Sequence, residues 1–230
     1  MIKILRIFFL LYFILIVSGC KSSYFQPREV DKKPTIVNKV VHIEEIDGHK
    51  KKVKEMHYDT ENTLREETFY KNQLTDVVKT YNNEGYLIKE EKYKNGNILL
   101  GQRKIYFRNG NIKEQYEFSG SRKHGRYFSY YSDGRLESDQ KFYNNNLVEN
   151  CTWYYSSGSV RKIINFGQNE SYQVDYYENG EKKSEGAFVS DSLSRSLWVN
   201  GYVGDSFSGK WIWYDKEGVI SKEKFYNQSN

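Results

Sequence analysis

The sequence is short of the residues that cross-link or stiffen a chain. Only Cys20 and Cys151 are cysteine and only Pro27 and Pro34 are proline among 230 residues. Leu, Ile and Val are scarce beyond residue 17, which excludes a thick aliphatic core. No helical period appears over residues 40–230. Lysine and glutamate alternate along the chain, and no basic block of five or more occurs, so a nucleic-acid partner is not expected. Catalytic sets are missing too. His42, His49, His57 and His124 form neither an HExxH motif nor a Cys/His cluster, so no metal and no other cofactor is expected. Neighbouring carboxylates such as Glu66-Glu67 and Glu90-Glu91 fall on opposite faces of a strand and cannot share acid–base work. Gly204 to Lys210 matches the first part of a phosphate-binding loop, but Trp211 stands where the Mg²⁺-binding Ser or Thr belongs, and no helix follows. The chain is expected not to be an enzyme.

Aromatics take the place of the missing aliphatics. They make up 17% of the chain, with 21 tyrosines, and they recur in register. With one turn anchor taken per unit (Asn62, Gly85, Gly110, Gly134, Gly158, Gly180, Gly218), a tyrosine stands four residues before each: Tyr58, Tyr81, Tyr106, Tyr130, Tyr154, Tyr176, Tyr214. A second aromatic stands eight residues after it: Tyr70, Tyr93, Phe118, Phe142, Phe166, Phe188, Tyr226. The anchors are 23, 25, 24, 24, 22 and 38 residues apart. A fixed period of this length marks a repeat array in which each unit buries its apolar face by stacking on its neighbours. Full burial of one such ring is worth roughly 1.5–3 kcal/mol.

Each unit has the pattern of a β-hairpin. The anchor glycine follows a turn-forming residue, as in Asn109-Gly110, Asp133-Gly134 and Asn179-Gly180, dipeptides suited to turns that need φ > 0. Two residues past the anchor come Leu64, Leu87, Ile112, Leu136, Val160, Lys182 and Ile220, with charged or polar residues between the apolar ones. Period two with one apolar face predicts half-exposed strands. A second short turn, such as Lys94–Asn97 or Ser119–Ser121, links each hairpin to the next. The fold class expected is all-β: an elongated antiparallel β-meander of about seven tandem hairpins. An eighth hairpin around Asp47-Gly48 would precede it.

Gly209-Lys210-Trp211-Ile212-Trp213-Tyr214 with Glu217-Gly218, and Gly125-Arg126-Tyr127-Phe128-Ser129-Tyr130-Tyr131-Ser132-Asp133-Gly134, resemble the G-x-W-x-x-Y-Y-x-N-G core of MORN-variant repeats. The resemblance is to bacterial YwqK-type proteins, which carry an antitoxin label, and it covers residues 50–230 apart from one interruption. The tryptophan slot of the pattern holds Trp only in the last unit. Val78, Arg103, Tyr127, Cys151 and Gln173 fill it elsewhere, which makes Cys151 a small buried apolar residue in expectation.

The chain opens with Lys3 and Arg6, then an apolar run from Ile7 to Val17 of 11 residues. That is too short to cross a bilayer, which takes about 20, and suits a signal peptide. It ends in Val17-Ser18-Gly19-Cys20, which resembles a bacterial lipobox. The resemblance implies cleavage before Cys20 and a covalent diacylglycerol plus an N-acyl chain on that residue, an anchor stronger than one acyl chain gives. Cys151 would then be the one free thiol. Loss of Lys3 and Arg6 lowers the formal charge from +5 to +3. Lys21 stands where a retained inner-membrane lipoprotein has aspartate, which favours the outer membrane. The organisation expected is a signal over 1–19, a tether over 20–39, and a repeat domain over 40–230 with an insertion at about 189–208.

Within that insertion Arg195, Trp198 and Tyr202 are candidates for a contact patch, since loops on a rigid scaffold are where function concentrates; an added hairpin turning at Asn200-Gly201 is the alternative. The function expected is a membrane-anchored, non-catalytic binding or scaffold module for a protein or envelope polymer. An immunity-type protein is one alternative. A carbohydrate- or choline-binding repeat is another, after Trp153-Tyr154-Tyr155-Ser156-Ser157-Gly158.

Overall fold

The computed structural model describes residues 35–168, 170–189 and 207–227. They form sixteen strands, and no helix occurs among the described residues. A leading hairpin pairs β1 (Ile36–Ile46) with β2 (His49–Asp59); β1 begins four residues before the expected boundary at 40. Then come β3 (Leu64–Lys71), β4 (Leu74–Tyr81), β5 (Leu87–Lys94), β6 (Asn97–Tyr106), β7 (Ile112–Ser119), β8 (Arg122–Tyr130) and β9 (Leu136–Tyr143). The two-residue β10 (Asn146–Leu147) precedes β11 (Glu149–Tyr154), β12 (Val160–Phe166), β13 (Ser171–Tyr176), β14 (Lys182–Phe188), β15 (Phe207–Tyr214) and β16 (Ile220–Tyr226). The strands pair in sequence order as one open antiparallel sheet, with β10 alone off the path against β9. The all-β hairpin meander expected from the register is what forms.

The two kinds of turn have exchanged chemistry. At every anchor the residue three before it accepts from the anchor N–H and donates to the residue one after it: Gly134 N to Tyr131 O at 2.9 Å and Tyr131 N to Arg135 O at 2.8 Å, for example. Only the anchor takes positive φ, from 60° at Asn62 to 93° at Gly158 and Gly180. The residue before it therefore needs no left-handed conformation, which is why Glu84, Ser157 and Glu217 are tolerated there. The tight two-residue turns with φ > 0 at both centres occupy the other row: Asp47-Gly48, Asn72-Gln73, Asn95-Gly96 and Asn144-Asn145.

A β-bulge recurs in all seven units at the third residue after the anchor. Tyr130 pairs with Leu136 and Ser129 with Ser138, so Glu137 is extra; Arg65, Ile88, Lys113, Arg161, Lys183 and Ser221 are the equivalents. The extra residue reverses the alternation. The aliphatic two after the anchor therefore lies on the opposite face from the aromatic eight after it. The tyrosine four before the anchor joins the aliphatic. The two aromatic series therefore do not share the one apolar face that period-two alternation predicts; they occupy the two sides of the sheet.

The core lies on the side of the later aromatics. Phe118, Phe142, Phe166 and Phe188 are buried with Tyr116, Tyr127, Leu147, Cys151, Trp153 and Ile164. Rings meet across strands: Tyr93 and Phe118 at 6.0 Å, Tyr127 and Phe142 at 5.4 Å, Phe166 and Phe188 at 6.2 Å. Edge-on pairs of this kind add about 0.5–1.5 kcal/mol beyond burial. None of the seven earlier tyrosines is fully buried. Two of them reach polar partners in the preceding unit: Tyr81 Oη donates to Glu67 Oε2 at 2.5 Å and Tyr214 Oη to Glu185 Oε1 at 2.5 Å.

A hydroxyl ladder joins successive units along the anchor row. Tyr131 Oη donates to Tyr154 O at 2.7 Å, Tyr155 Oη to Tyr176 O at 2.7 Å, and Tyr177 Oη to Tyr214 O at 2.9 Å. Where that position holds Asp59, Asn82 or Asp215, the side chain instead caps its own turn, as Asn82 Oδ1 does for the N–H groups of Glu84 and Tyr86. Tyr155→Phe removes one ladder donor and leaves a carbonyl short of a partner; it is expected to cost about 1 kcal/mol by urea titration.

Trp211 packs its indole on the backbone of Gly186. A Cβ there would stand 2.3 Å from Trp211 Cδ2, and the indole Nε1–H donates to Ala187 O at 2.6 Å. Gly186→Ala should displace the ring and destabilise the fold by roughly 1–3 kcal/mol, with a matching change in tryptophan fluorescence.

Candidate contact surface

The sequence candidates divide sharply. Cys20, Arg195, Trp198 and Tyr202 lie outside the described residues. Cys151 is fully buried among the core side chains, and burial pushes its thiol up to about 11; it serves packing. Gly209 and Lys210 lie within β15 and form no phosphate loop; Lys210 Nζ is 2.7 Å from Glu223 Oε1. His57 Nε2 sits 2.7 Å from Glu55 Oε1, whereas the His124 ring lies 5.1 Å from that of Tyr143. No group of three or more His, Cys, Asp or Glu side chains suited to a metal exists among the described residues.

What the fold does assemble is a series of paired charges set among rings. Burial opposes the charged form of Glu55, but Lys39 at 2.6 Å, His57 at 2.7 Å and Lys52 at 3.0 Å outweigh it and hold its carboxyl at about 2. Glu91 is likewise buried yet held below the ordinary carboxylate range by Lys89 at 2.9 Å and by Arg103, whose Nε donates at 2.7 Å. Arg103 also donates to Tyr116 Oη at 3.0 Å. Glu185 is lowered against its burial by Tyr214, Lys182 and Tyr172. Glu66 and Glu67 keep separate partners, His57 for the first and Lys54 with Tyr81 for the second, as their opposite faces require.

Recesses open on this surface, and two of them are lined by several rings and charges. An open cleft of about 550 Å³ lies between β5, β6, β7 and β8, lined by Tyr93, Phe118, Gly101, Lys94, Glu117 and His124 among others. Gly101 lets β6 approach β5 closely here, because a Cβ would stand 2.1 Å from Lys92 O. A smaller cleft of about 210 Å³ is lined by Trp153, Tyr155, Tyr176, Asp175, Arg161, Lys162 and Lys183. Sequence reading missed both, since their linings come from different units and faces. The ladder tyrosines were visible in advance only as the doublets Tyr130-Tyr131, Tyr154-Tyr155 and Tyr176-Tyr177.

Three stretches of the chain, 99–119, 123–145 and 207–228, match the MORN repeat variant. MORN-type repeats are present. Two of the three stretches contain the segments on which the resemblance was first drawn, around Gly134 and Gly218. No curated protein matches the chain. Among solved structures, a protein of unknown function from Bacteroides fragilis is similar at 9% identity, covering 82% of this chain and 92% of its own, with a TM-score of 0.13; a likeness at that score carries no argument.

The charge pairs give a pH signature. Glu55 is ionised in the fold down to about pH 2, well below its ordinary value of 4.5. A depressed carboxyl stabilises the fold above its unfolded pKa, and that stability is lost as pH falls through the folded value. Glu55→Gln should cost roughly 1–2 kcal/mol at pH 7, discounted for the solvent exposure of its lysines. It should also flatten the stability profile between about pH 4.5 and 2, as read by thermal unfolding across that range.

Proposed function

We propose that the chain is a lipid-anchored, non-catalytic docking module of the bacterial envelope that binds a protein or an envelope polymer along its repeat sheet. The observation that carries this reading is the recurrence itself. Fourteen strands present one repeating arrangement of half-buried tyrosines and paired charges, and repeat arrays of this kind bind through extended surfaces. The polar groups in the sheet are spent on each other, which suits a rigid surface better than a reactive one. The lipobox-like Val17–Cys20 segment behind the run Ile7–Val17 supports anchoring at Cys20, and Lys21 favours the outer membrane.

Growth with an alkyne fatty acid tests the anchor: label is expected on the natural chain and absent from Cys20→Ala. Equal labelling of the two would remove the anchor from the proposal. Docking is tested by capture from native envelope with the anchored chain, and recovery of no protein or polymer above the background from the same envelope treated without the chain would refute it.

The smaller cleft favours a second reading. Tyr155 and Tyr176 line it with Asp175, and the buried Trp153 forms part of its wall, a combination suited to stacking on a sugar ring or holding a quaternary ammonium. Titration of tryptophan fluorescence with choline and with wall glycan fragments separates this reading from protein docking, with Trp153→Phe as the control.

A further inference from the structure

The sheet has an unguarded edge. Among the described residues β1 pairs only with β2, which leaves one side of its backbone N–H and C=O groups open. All eleven of its residues are exposed, and Ile36, Val37, Val40, Val41, Ile43 and Ile46 are aliphatic. Edges are ordinarily protected by short strands, proline, bulges that turn the strand away or charged side chains, and of these β1 has Lys39, Glu44 and Glu45, charges that a partner strand must match. β1 is long and lacks proline. From Asn38 to Ile46 it runs without an extra residue of its own, since the irregularity at His42/Ile43 is taken up by Val53 of β2.

We propose that this edge pairs with β1 of a second copy of the chain, antiparallel across a two-fold axis perpendicular to the sheet. Strand direction argues for it. Fifteen strands lie on the sheet path and alternate in direction, so β1 and β16 run the same way. Copies stacked end to end in one orientation would join β1 to β16 in parallel, the less stable ladder. A two-fold gives the antiparallel ladder and a closed, self-complementary interface.

The side chains narrow the register. In a continuous sheet, opposed residues share a face. Centring the pair on His42 sets Lys39 opposite Glu45 and Val41 opposite Ile43, each twice, on one face. Opposite charges and aliphatic pairs in direct opposition both stabilise a ladder. Centring one residue earlier, on Val41, sets Lys39 against Ile43; centring one residue later, on Ile43, sets Val41 against Glu45 but brings His42 opposite Glu44 and Val40 opposite Ile46, which makes it the rival register. Lys39 already lies 2.6 Å from Glu55 Oε1, yet its side chain is 53% exposed and has room for a second carboxylate. On the opposite face His42 meets its own symmetry mate, flanked by Val40 opposite Glu44 and Asn38 opposite Ile46.

Cysteine cross-linking of the full chain in detergent micelles tests this. Directly opposed residues stand about 4.5–5.5 Å apart at Cα, within disulfide range. The symmetry mates of Ile46 would be about 27 Å apart, eight residues of strand rise. The natural chain is expected to sediment as a dimer. Under mild oxidation His42→Cys should give a covalent dimer and Ile46→Cys none above the natural chain, which controls for Cys20 and Cys151. Val41→Lys, at an exposed position that the fold tolerates, should weaken association about tenfold or more by placing a cation beside its partner's apolar residue. Monomeric natural chain, as when its own residues 1–34 cover the edge, would overturn the proposal. So would open polymers growing with concentration, the mark of β1–β16 pairing, or equal cross-linking at positions 42 and 46.

Discussion

The recurrent bulge three residues past each anchor is the constraint on which the rest depends. A strand of strict alternation would put the aliphatic after the turn and the later aromatic on one side and leave the other side wholly polar. One extra residue per unit divides the work. One side receives Phe118, Phe142, Phe166, Phe188 and the slot residues Tyr127, Cys151 and Trp211, and becomes the packed core. The other receives the earlier tyrosines, whose hydroxyls are then free to engage carboxylates such as Glu67 and Glu185. Without the bulge those hydroxyls would be directed into an apolar layer, where an unpartnered hydroxyl is costly.

Cohesion between units is likewise shared between two means. Backbone ladders join the strands in sequence order with β10 alone off the path, and along the anchor row the hydroxyls of Tyr131, Tyr155 and Tyr177 tie their turns to the last residue of the next unit's first strand. The ladder works because the anchor turn is fixed by its own two backbone hydrogen bonds, so the tyrosine that closes the turn leaves it in one direction. Where aspartate or asparagine takes the same place, the oxygen is too short to cross to the next unit and folds onto its own N–H groups. One position thus serves either the turn or the array, according to side-chain reach.

Most of the architecture was legible in the sequence, because a repeat states its register many times over. The anchors, the strand order and the burial of Phe118, Phe142, Phe166 and Phe188 all follow from spacing alone. Face assignment was not legible, because a bulge of one residue leaves no compositional trace: Glu137, Arg161 and Lys183 look like any exposed strand residue. Turn type was misjudged for a related reason, since Asn-Gly satisfies both a two-residue turn and a longer turn ending in a left-handed glycine. The candidate surface was only partly legible. The Glu55 and Glu91 clusters gather Lys39, Lys52, Arg103 and Tyr116 from separate strands, and cross-strand register decides which of many similar lysines and glutamates meet.

Pairing restricted to sequence neighbours has a kinetic and mechanical consequence. Contacts that close only short stretches of chain form quickly, so the array can nucleate in its aromatic centre and zip outward. The reverse holds under load or heat. Phe225 is 70% exposed and β16 buries none of its residues, so this last strand has little to hold it and peels first, while the units around Ile164 and Phe188 keep their amide protons longest. The molecule would then yield in graded steps, shedding strands from its ends and recovering them from a surviving middle.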